Sequence, residues 1–299
     1  MGWSSWSYIR HDPTAANIEA QANAMVSSGL SSAGYLYANV DEYGRWVTDA
    51  TEFPPSATGE NGIAVTAAAV HKLGLKFGLY VTPGISDQAV SQNTPIEGTS
   101  YTAGEIANGD SESNYNCGGM QGINYSAAGA QDFINSWADE FASRGVDYLN
   151  LDGVGDSDIG DVQAWSAALE QSGRPIHLEL SNSLDIANAA TWAQYSNGWR
   201  TGGDIECYCG TNAAGNPQPL TTWGNVQGRF AQIAQWQPYG GPGAFNDYDS
   251  IEFGDGPTTD GLSTVEGQSQ YGLWAMAASP PLLGVDLTQL ATGPASPAT

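Results

Sequence analysis

The chain has 299 residues, 41% of them hydrophobic, with 32 acidic against 8 basic side chains and a net charge of -24. Apolar content at this level supports a real core, which excludes a disordered chain, and the length suits one large domain, since a single α/β barrel uses about 250 residues. The acidic excess repels polyphosphates and leaves few cations to neutralise them, so nucleic acid is excluded as a partner; a neutral ligand and an exported or salt-tolerant protein fit better.

Short apolar runs alternate with longer stretches of helical spacing, the pattern of βα units around a parallel sheet. Residues 1–6 read as a first strand and 13–28 as a helix, with Ile18, Ala22, Met25 and Val26 on one face and Gly29 as the stop. A second strand over 35–40 ends at Asp41 and Glu42, a helix over 62–73 closes at Gly74, and a third strand over 76–81 ends at Pro83-Gly84. Residues 85–125, rich in Gly, Ser, Asn and Thr, read as a long loop, and loops of that length in a compact domain are usually functional. A helix over 127–143 leads to the central strand, 146–151, which delivers Asp152 into a turn marked by Gly153 and Gly155. Then come a helix over 158–171, a strand over 175–180, a helix over 184–195, a strand over 198–205 that reaches Asp204, and a helix over 223–236. A seventh strand over 242–249 ends in Asp247 and Asp249, a seventh helix covers 265–278, and an eighth strand covers 282–290. The expected fold is a (β/α)8 barrel over 1–291 without its last helix, followed by a linker-like tail over 292–299. Without that helix, an apolar flank left exposed between strands one and eight would favour association.

Three cysteines, Cys117, Cys207 and Cys209, lack the paired spacings of a metal site. One disulfide from Cys117 to either of the others, or three free thiols, are the open readings. Nothing in the sequence spans a bilayer or reads as a secretory leader, so the start is expected to lie inside the mature domain. Ten Trp and fourteen Tyr would serve a sugar site, but on composition alone ordinary core packing is the better explanation.

The recurring signal is an acid just past an apolar run: Asp41 and Glu42, Asp152, Asp204, Asp247 and Asp249. In a barrel these positions converge on the mouth at the strands' carboxyl ends. A single such acid is usually a helix cap; the repetition around the barrel points to a site. His11, His71 and His177 sit in no metal-binding motif, and His177 lies within an apolar strand, where a structural role is expected. No nucleophile elbow, phosphate loop or dinucleotide fingerprint is present. Asp152, Asp156, Asp158 and Asp161 are spaced like a sparse calcium loop but miss the EF-hand pattern. No cofactor and no metal are expected. Two carboxylates acting on a glycosidic bond remain, one attacking the anomeric carbon and one protonating the leaving oxygen, in environments that keep one ionised and the other protonated.

Several stretches together resemble glycoside hydrolase family 27: Met1-Gly-Trp-Ser-Ser-Trp6, Asp41-Glu42, Lys76-Phe-Gly-Leu-Tyr80, Asp147-Tyr-Leu-Asn-Leu-Asp152-Gly, Trp199-Arg-Thr-Gly-Gly-Asp204-Ile, Gly243-Ala-Phe-Asn-Asp-Tyr-Asp249, and the helix and strand entry between Gln268 and Leu283. The resemblance covers nearly the whole chain. It implies a (β/α)8 barrel, normally followed by an antiparallel β domain not found in this sequence, and an α-galactosidase or α-N-acetylgalactosaminidase type of activity. It implies a retaining mechanism, with Asp152 as nucleophile and Asp204 as acid/base. Arg200, Trp3, Asp41, Tyr80, Cys117 and Asp249 would then surround the sugar.

Four positions depart from the family pattern: Asn150 where Lys is usual, Glu42 for a second Asp, Ser181-Asn182 for a Cys-Glu pair, and Val154 for the customary partner of Cys117. Losing the Lys removes a charge-assisted donor and a cation that keeps nearby carboxylates ionised. Glu42, Asn150 and Asn182 therefore join the expected sugar contacts and open the question of which sugar is bound. The readings are a retaining exo-α-galactosidase, a relative trimming isomalto-oligosaccharide or dextran or cleaving β-L-arabinopyranosides, a non-catalytic sugar-binding barrel, and a metal-dependent hydrolase. A small sugar or oligosaccharide is the expected partner and an extracellular location the expected compartment.

Overall fold

The structure, a computed structural model, describes residues 1–11, 13–41, 50–112 and 119–290. Eight parallel strands form its centre: β1 (Gly2–Ser4), β2 (Tyr37–Asn39), β3 (Lys76–Val81), β7 (Tyr148–Leu151), β8 (His177–Leu180), β9 (Gly198–Arg200), β10 (Phe245–Asp247) and β11 (Leu282–Leu283). They lie in the order β10-β9-β8-β7-β3-β2-β1-β11. The ring is completed just past β10, where Ile251 pairs in parallel with Leu283. Ile251 N donates to Leu282 O at 2.7 Å and Gly284 N to Ile251 O at 3.0 Å. The expected barrel is therefore present, with strands shorter than their apolar runs. The run at 282–290 supplies two strand residues and then a 3-10 turn over Leu287–Gln289.

Side chains alternate in and out along each strand, and the register fixes which is which. Trp3 pairs with Ala38 and Ala38 with Phe77; Leu149 pairs with Leu79 and Leu178. These residues face outward and are buried against the helices. The alternate set, Ser4, Asn39, Gly78, Asn150, Glu179, Gly198 and Asp247, faces the barrel axis. Two glycines make that inner layer possible. A Cβ on Gly78 would meet Asn39 Oδ1 at 2.1 Å, and one on Gly198 would meet Glu179 Oε2 at 2.1 Å.

The outer ring begins with α1 (Trp6–Ile9) and α2 (Ala15–Ser27). Helix α2 starts in a capping box, in which Asn17 N donates to Thr14 Oγ1 at 3.2 Å and Thr14 N to Asn17 Oδ1 at 2.7 Å. It continues through α3 (Gly62–Lys72), α6 (Ala130–Arg144), α7 (Ile159–Gln171), α8 (Ala189–Tyr195), α9 (Trp223–Trp236), α10 (Pro257–Asp260) and α11 (Thr264–Met276). Helix α6 ends at Gly145, whose φ of 87° is the left-handed stop that favours glycine. Phe141 of α6 stacks on Trp165 of α7 at 6.1 Å between ring centres. Asp147 ties β7 to its neighbours: it receives Arg174 Nη2 at 2.6 Å, His71 Nε2 lies 2.8 Å away, and Phe77 N donates at 3.0 Å.

The stretch expected to be a loop is folded. It holds α4 (Asp87–Ser91), α5 (Ala103–Ile106) and an antiparallel sheet in the order β4-β6-β5, made of β4 (Ile85–Ser86), β5 (Ala107–Ser111) and β6 (Met120–Ile123). Ile85, Ile96, Ala103, Ile106 and Ile123 are buried beneath it. They are too scattered in sequence to show a period, which is why the pattern read as loop. Among the described residues no helix is long and apolar enough to cross a membrane.

Candidate active site

A cavity of about 420 Å³ opens at the carboxyl ends of the strands, lined by Trp6, His11, Asp41, Tyr80, Asn150, Asp152, Ser181, Asn182, Arg200, Asp204 and Tyr208. Strand alternation explains most of this list. Asn150 pairs with Tyr80 and with Glu179, and all three face inward, so Asp152 and Ser181, two residues further on, do as well. Arg200 pairs with Asp247, which puts Asp249 on the same inner side. Asp41 follows inward-facing Asn39 by the same step, and its backbone N–H donates to Ser5 Oγ at 2.8 Å.

Most of the sugar contacts expected from sequence therefore meet in one place: Asp41, Tyr80, Asn150, Asp152, Asn182, Arg200 and Asp204 line the cavity. Asp249 stands directly behind Arg200. Trp3 is a correction. It is fully buried on the outer side of β1, with Nε1 donating to Val285 O at 2.8 Å. The tryptophan at the cavity is Trp6, which follows the strand on α1. Counting inward positions from Ser4 would have separated the two. Glu42 and Cys117 lie outside the described residues. His11, Ser181 and Tyr208 line the cavity and were missed; Ser181 was visible by alternation, whereas Tyr208 sits in an irregular loop that carries no period.

Arg200 organises the charges. Its Nη2 lies 2.7 Å from Asp249 Oδ2 and 3.1 Å from Asp204 Oδ1, and donates to Gly202 O at 3.3 Å. Asp249, at a left-handed φ of 81°, is held further by Ile205 N at 2.8 Å and Ser250 N at 2.7 Å. Burial works against the guanidinium's charge, but Asp249, Asp204, Asp247 and Glu206 together raise its pKa. Asp204 also receives the Tyr208 hydroxyl at 2.5 Å, and that hydroxyl receives Trp6 Nε1 at 2.9 Å.

The two central carboxyls are driven apart. Burial raises Asp152, only partly offset by Ser181, Arg200 and the Gly153 N–H, with Asp204 adding to the rise. Burial would raise Asp204 too, but Arg200, the Tyr208 hydrogen bond and Arg10 outweigh it and hold the carboxyl below the usual range. Asp41 is pushed well up by burial and by Asp152, Asp204 and Glu206. Deeper in, burial raises Asp247 to about 8, with Glu179 adding to the rise. His177 keeps the structural place expected of it, within 2.9 Å of Glu179 and stacked on Tyr148, and burial lowers its pKa to about 4.

The cysteines differ from both readings left open by the sequence: Cys207 and Cys209 are bonded to each other. The bridge encloses Tyr208. Asp204, Glu206 and Asp249 bring oxygens within 4.8 Å of one another, the spacing a cation would need. Arg200 already neutralises two of the three.

A (β/α)8 barrel with carboxylates and an arginine converging on a pocket at its strand ends is the layout of the barrel glycosidase class. The comparisons with known proteins narrow this. The family model described as alpha galactosidase A matches residues 113–295. An alpha-galactosidase of Oryza sativa subsp. japonica is 31% identical over 97% of this chain and 58% of its own length. Alpha-galactosidase 2 of Arabidopsis thaliana is 30% identical over 97% of this chain and 61% of its own. The crystal structure of a GH27 β-L-arabinopyranosidase from Geobacillus stearothermophilus superimposes with a TM-score of 0.85 at 26% identity, covering 99% of this chain and 72% of that one. The chain belongs to the alpha-galactosidase family of glycoside hydrolase family 27, and it spans about three fifths of the length of these curated relatives.

Proposed function

We propose that the protein is a retaining, exo-acting glycoside hydrolase that removes terminal α-galactosyl groups. The observation that carries this is the convergence of Asp152 and Asp204 on one sugar-sized cavity beside Arg200. In this reading Asp152 attacks the anomeric carbon while Asp204 protonates the leaving oxygen. A glycosyl ester on Asp152 forms, and Asp204, now a base, takes a proton from the water that releases the sugar.

Roles are assigned by position. Asp152 leaves the inner face of β7, which suits an attacking group beneath the ring. Asp204 stands at the rim with 31% of its side chain exposed, where it can exchange protons with solvent. The empty cavity biases the pair the other way, with Asp204 favoured as the anion. That bias suits the base needed in the second step; the first step requires substrate to loosen the contacts that Arg200 and Tyr208 make with Asp204. Asp41, Tyr80, Asn150, Asn182 and Arg200 would hold the sugar hydroxyls. The bonded Cys207–Cys209 pair and the charge of -24 support an extracellular location.

A second reading has its own support: the Geobacillus structure is named a β-L-arabinopyranosidase, and that sugar is α-galactose without its hydroxymethyl arm. Assays with aryl α-galactoside and aryl β-L-arabinopyranoside separate the two. Replacing Asp152 or Asp204 with Asn should lower kcat by about 10²–10⁴-fold, and a product analysis should show retained configuration. Unchanged turnover in both variants, or an inverted product, refutes the proposal.

A further inference from the structure

Tyr208 is held by its surroundings to a degree that an exposed tyrosine rarely is. Its side chain belongs to a residue 55% open to solvent, where ring rotation would ordinarily be free. Yet its hydroxyl donates to Asp204 Oδ2 and accepts from Trp6 Nε1, and the Arg10 guanidinium lies over its ring at 4.5 Å. Its backbone has a left-handed φ of 50°, a region that non-glycine residues seldom enter without outside support. The support is next to it on both sides, in the bond between Cys207 and Cys209. The loop that carries it is fixed by the Glu206–Thr221 bridge and by Asn216 Nδ2, which donates to Tyr8 OH at 3.1 Å.

We propose that the Cys207–Cys209 bridge is a clamp that sets the Tyr208 hydroxyl on Asp204, which makes Tyr208 the positioning residue of the acid/base carboxyl and makes opening of the bridge a way to release it. The inference rests on the role given to Asp204 above. While Tyr208 occupies Oδ2, that oxygen cannot serve a leaving group; an arriving glycosidic oxygen has to take its place. The clamp thus keeps the carboxyl aimed without ligand and yields when substrate enters. Opening needs an external dithiol: two electrons and two protons pass to the two sulfurs, and the dithiol closes to its own disulfide.

The charges facing Asp204 fix the direction of the effect. Arg200, Arg10 and the Tyr208 hydroxyl favour its anion, while Asp41, Asp152 and Glu206 oppose it. Removing the hydroxyl subtracts from the first group only, so the carboxyl should hold its proton to higher pH.

The test is a carboxyl titration by NMR on protein labelled with 13C-aspartate, with the Asp204 signal identified by its loss in Asp204→Asn. In Tyr208→Phe, which keeps the ring over Arg10, the Asp204 midpoint should rise by about one pH unit, the size expected for one lost charge-assisted hydrogen bond. The double variant Cys207→Ser/Cys209→Ser, and wild type treated with dithiothreitol, should show a rise in the same direction. Neither change should add to it in a Tyr208→Phe background. With an aryl α-galactoside, the acid limb of kcat/KM, which the lower of the two carboxyls sets when Asp152 is raised and Asp204 lowered, should move up with the midpoint; a purely structural role would lower kcat and leave the limb in place. An unmoved midpoint in Tyr208→Phe, or a bridge effect that persists without the hydroxyl, overturns the inference. Wild type without turnover refutes the proposed function instead, and the titration still decides this point.

Discussion

Replacing Arg200 with Met tests the charge arrangement at its centre. The guanidinium and its main partner are both well shielded, with 11% of the Arg200 and 8% of the Asp249 side chain exposed and 2.7 Å between them. Removing one member of such a pair leaves a buried charge and costs about 3–5 kcal/mol. The Asp204 contact adds less, because that carboxyl is 31% exposed and water screens it. Asp249 would keep its bonds from Ile205 N and Ser250 N, which places the cost towards the lower end of that range. The destabilisation should therefore lie at about 3–4 kcal/mol at pH 7. Urea unfolding of wild type and Arg200→Met at pH 7 measures this directly. A penalty below about 1 kcal/mol at pH 7 would mean that Asp249 is not the buried charge Arg200 neutralises.

Trp3 and Trp6 should separate stability from binding: Trp3→Phe should cost about 2 kcal/mol with KM unchanged, whereas Trp6→Phe should raise KM with little change in unfolding midpoint. The Asp147 brace should matter at neutral pH. Its folded pKa is held down by the Phe77 N–H, His71 and Arg174 against the upward pull of burial, so its contribution is present above about 3.8 and lost as pH falls through the lower folded value. Asp147→Asn should accordingly destabilise at pH 7 and converge on wild type near pH 2 in thermal unfolding. Glu206 works in the opposite sense, because burial, Asp249 and Asp204 raise it from 4.5 to about 7. Below 4.5 folded and unfolded forms both carry the proton; between 4.5 and 7 only the folded form keeps it, so wild-type stability should fall across that window and Glu206→Gln should flatten the fall.

How far the sequence could be read depended on whether a residue belonged to a period. Strands whose apolar residues alternate, such as Tyr148–Leu151 and His177–Leu180, stand where the sequence pattern put them, the first with Asp152 at its end. Asp41 and Asp152 stood out as acids just past apolar runs, whereas Arg200 was named only through the family resemblance; in the structure all three take their direction from strand alternation. Trp3 was misplaced for the same reason in reverse: the motif around it was read as a word and its position along the strand was not counted. The folded insertion stayed hidden because Ile85, Ile96, Ile106 and Ile123 meet only once the chain has doubled back. The Cys207–Cys209 bond spans a single residue, too short a loop for the sequence spacing to point to it. Tyr208, set by that bond and by contacts from Trp6 and Arg10 some 200 residues away in sequence, had no local signal to read.

The inner layer of the barrel has a bearing on how this protein could change. Gly78 and Gly198 leave room along the axis for Asn39 and Glu179, while Trp3, Phe77, Leu149 and Trp199 seal the outer side. Cohesion thus resides in the annulus between staves and helices, and the bore is reserved for polar groups. Sugar preference can therefore be rewritten from inside, one inward position at a time, while the hydrophobic wall that keeps the barrel standing goes untouched.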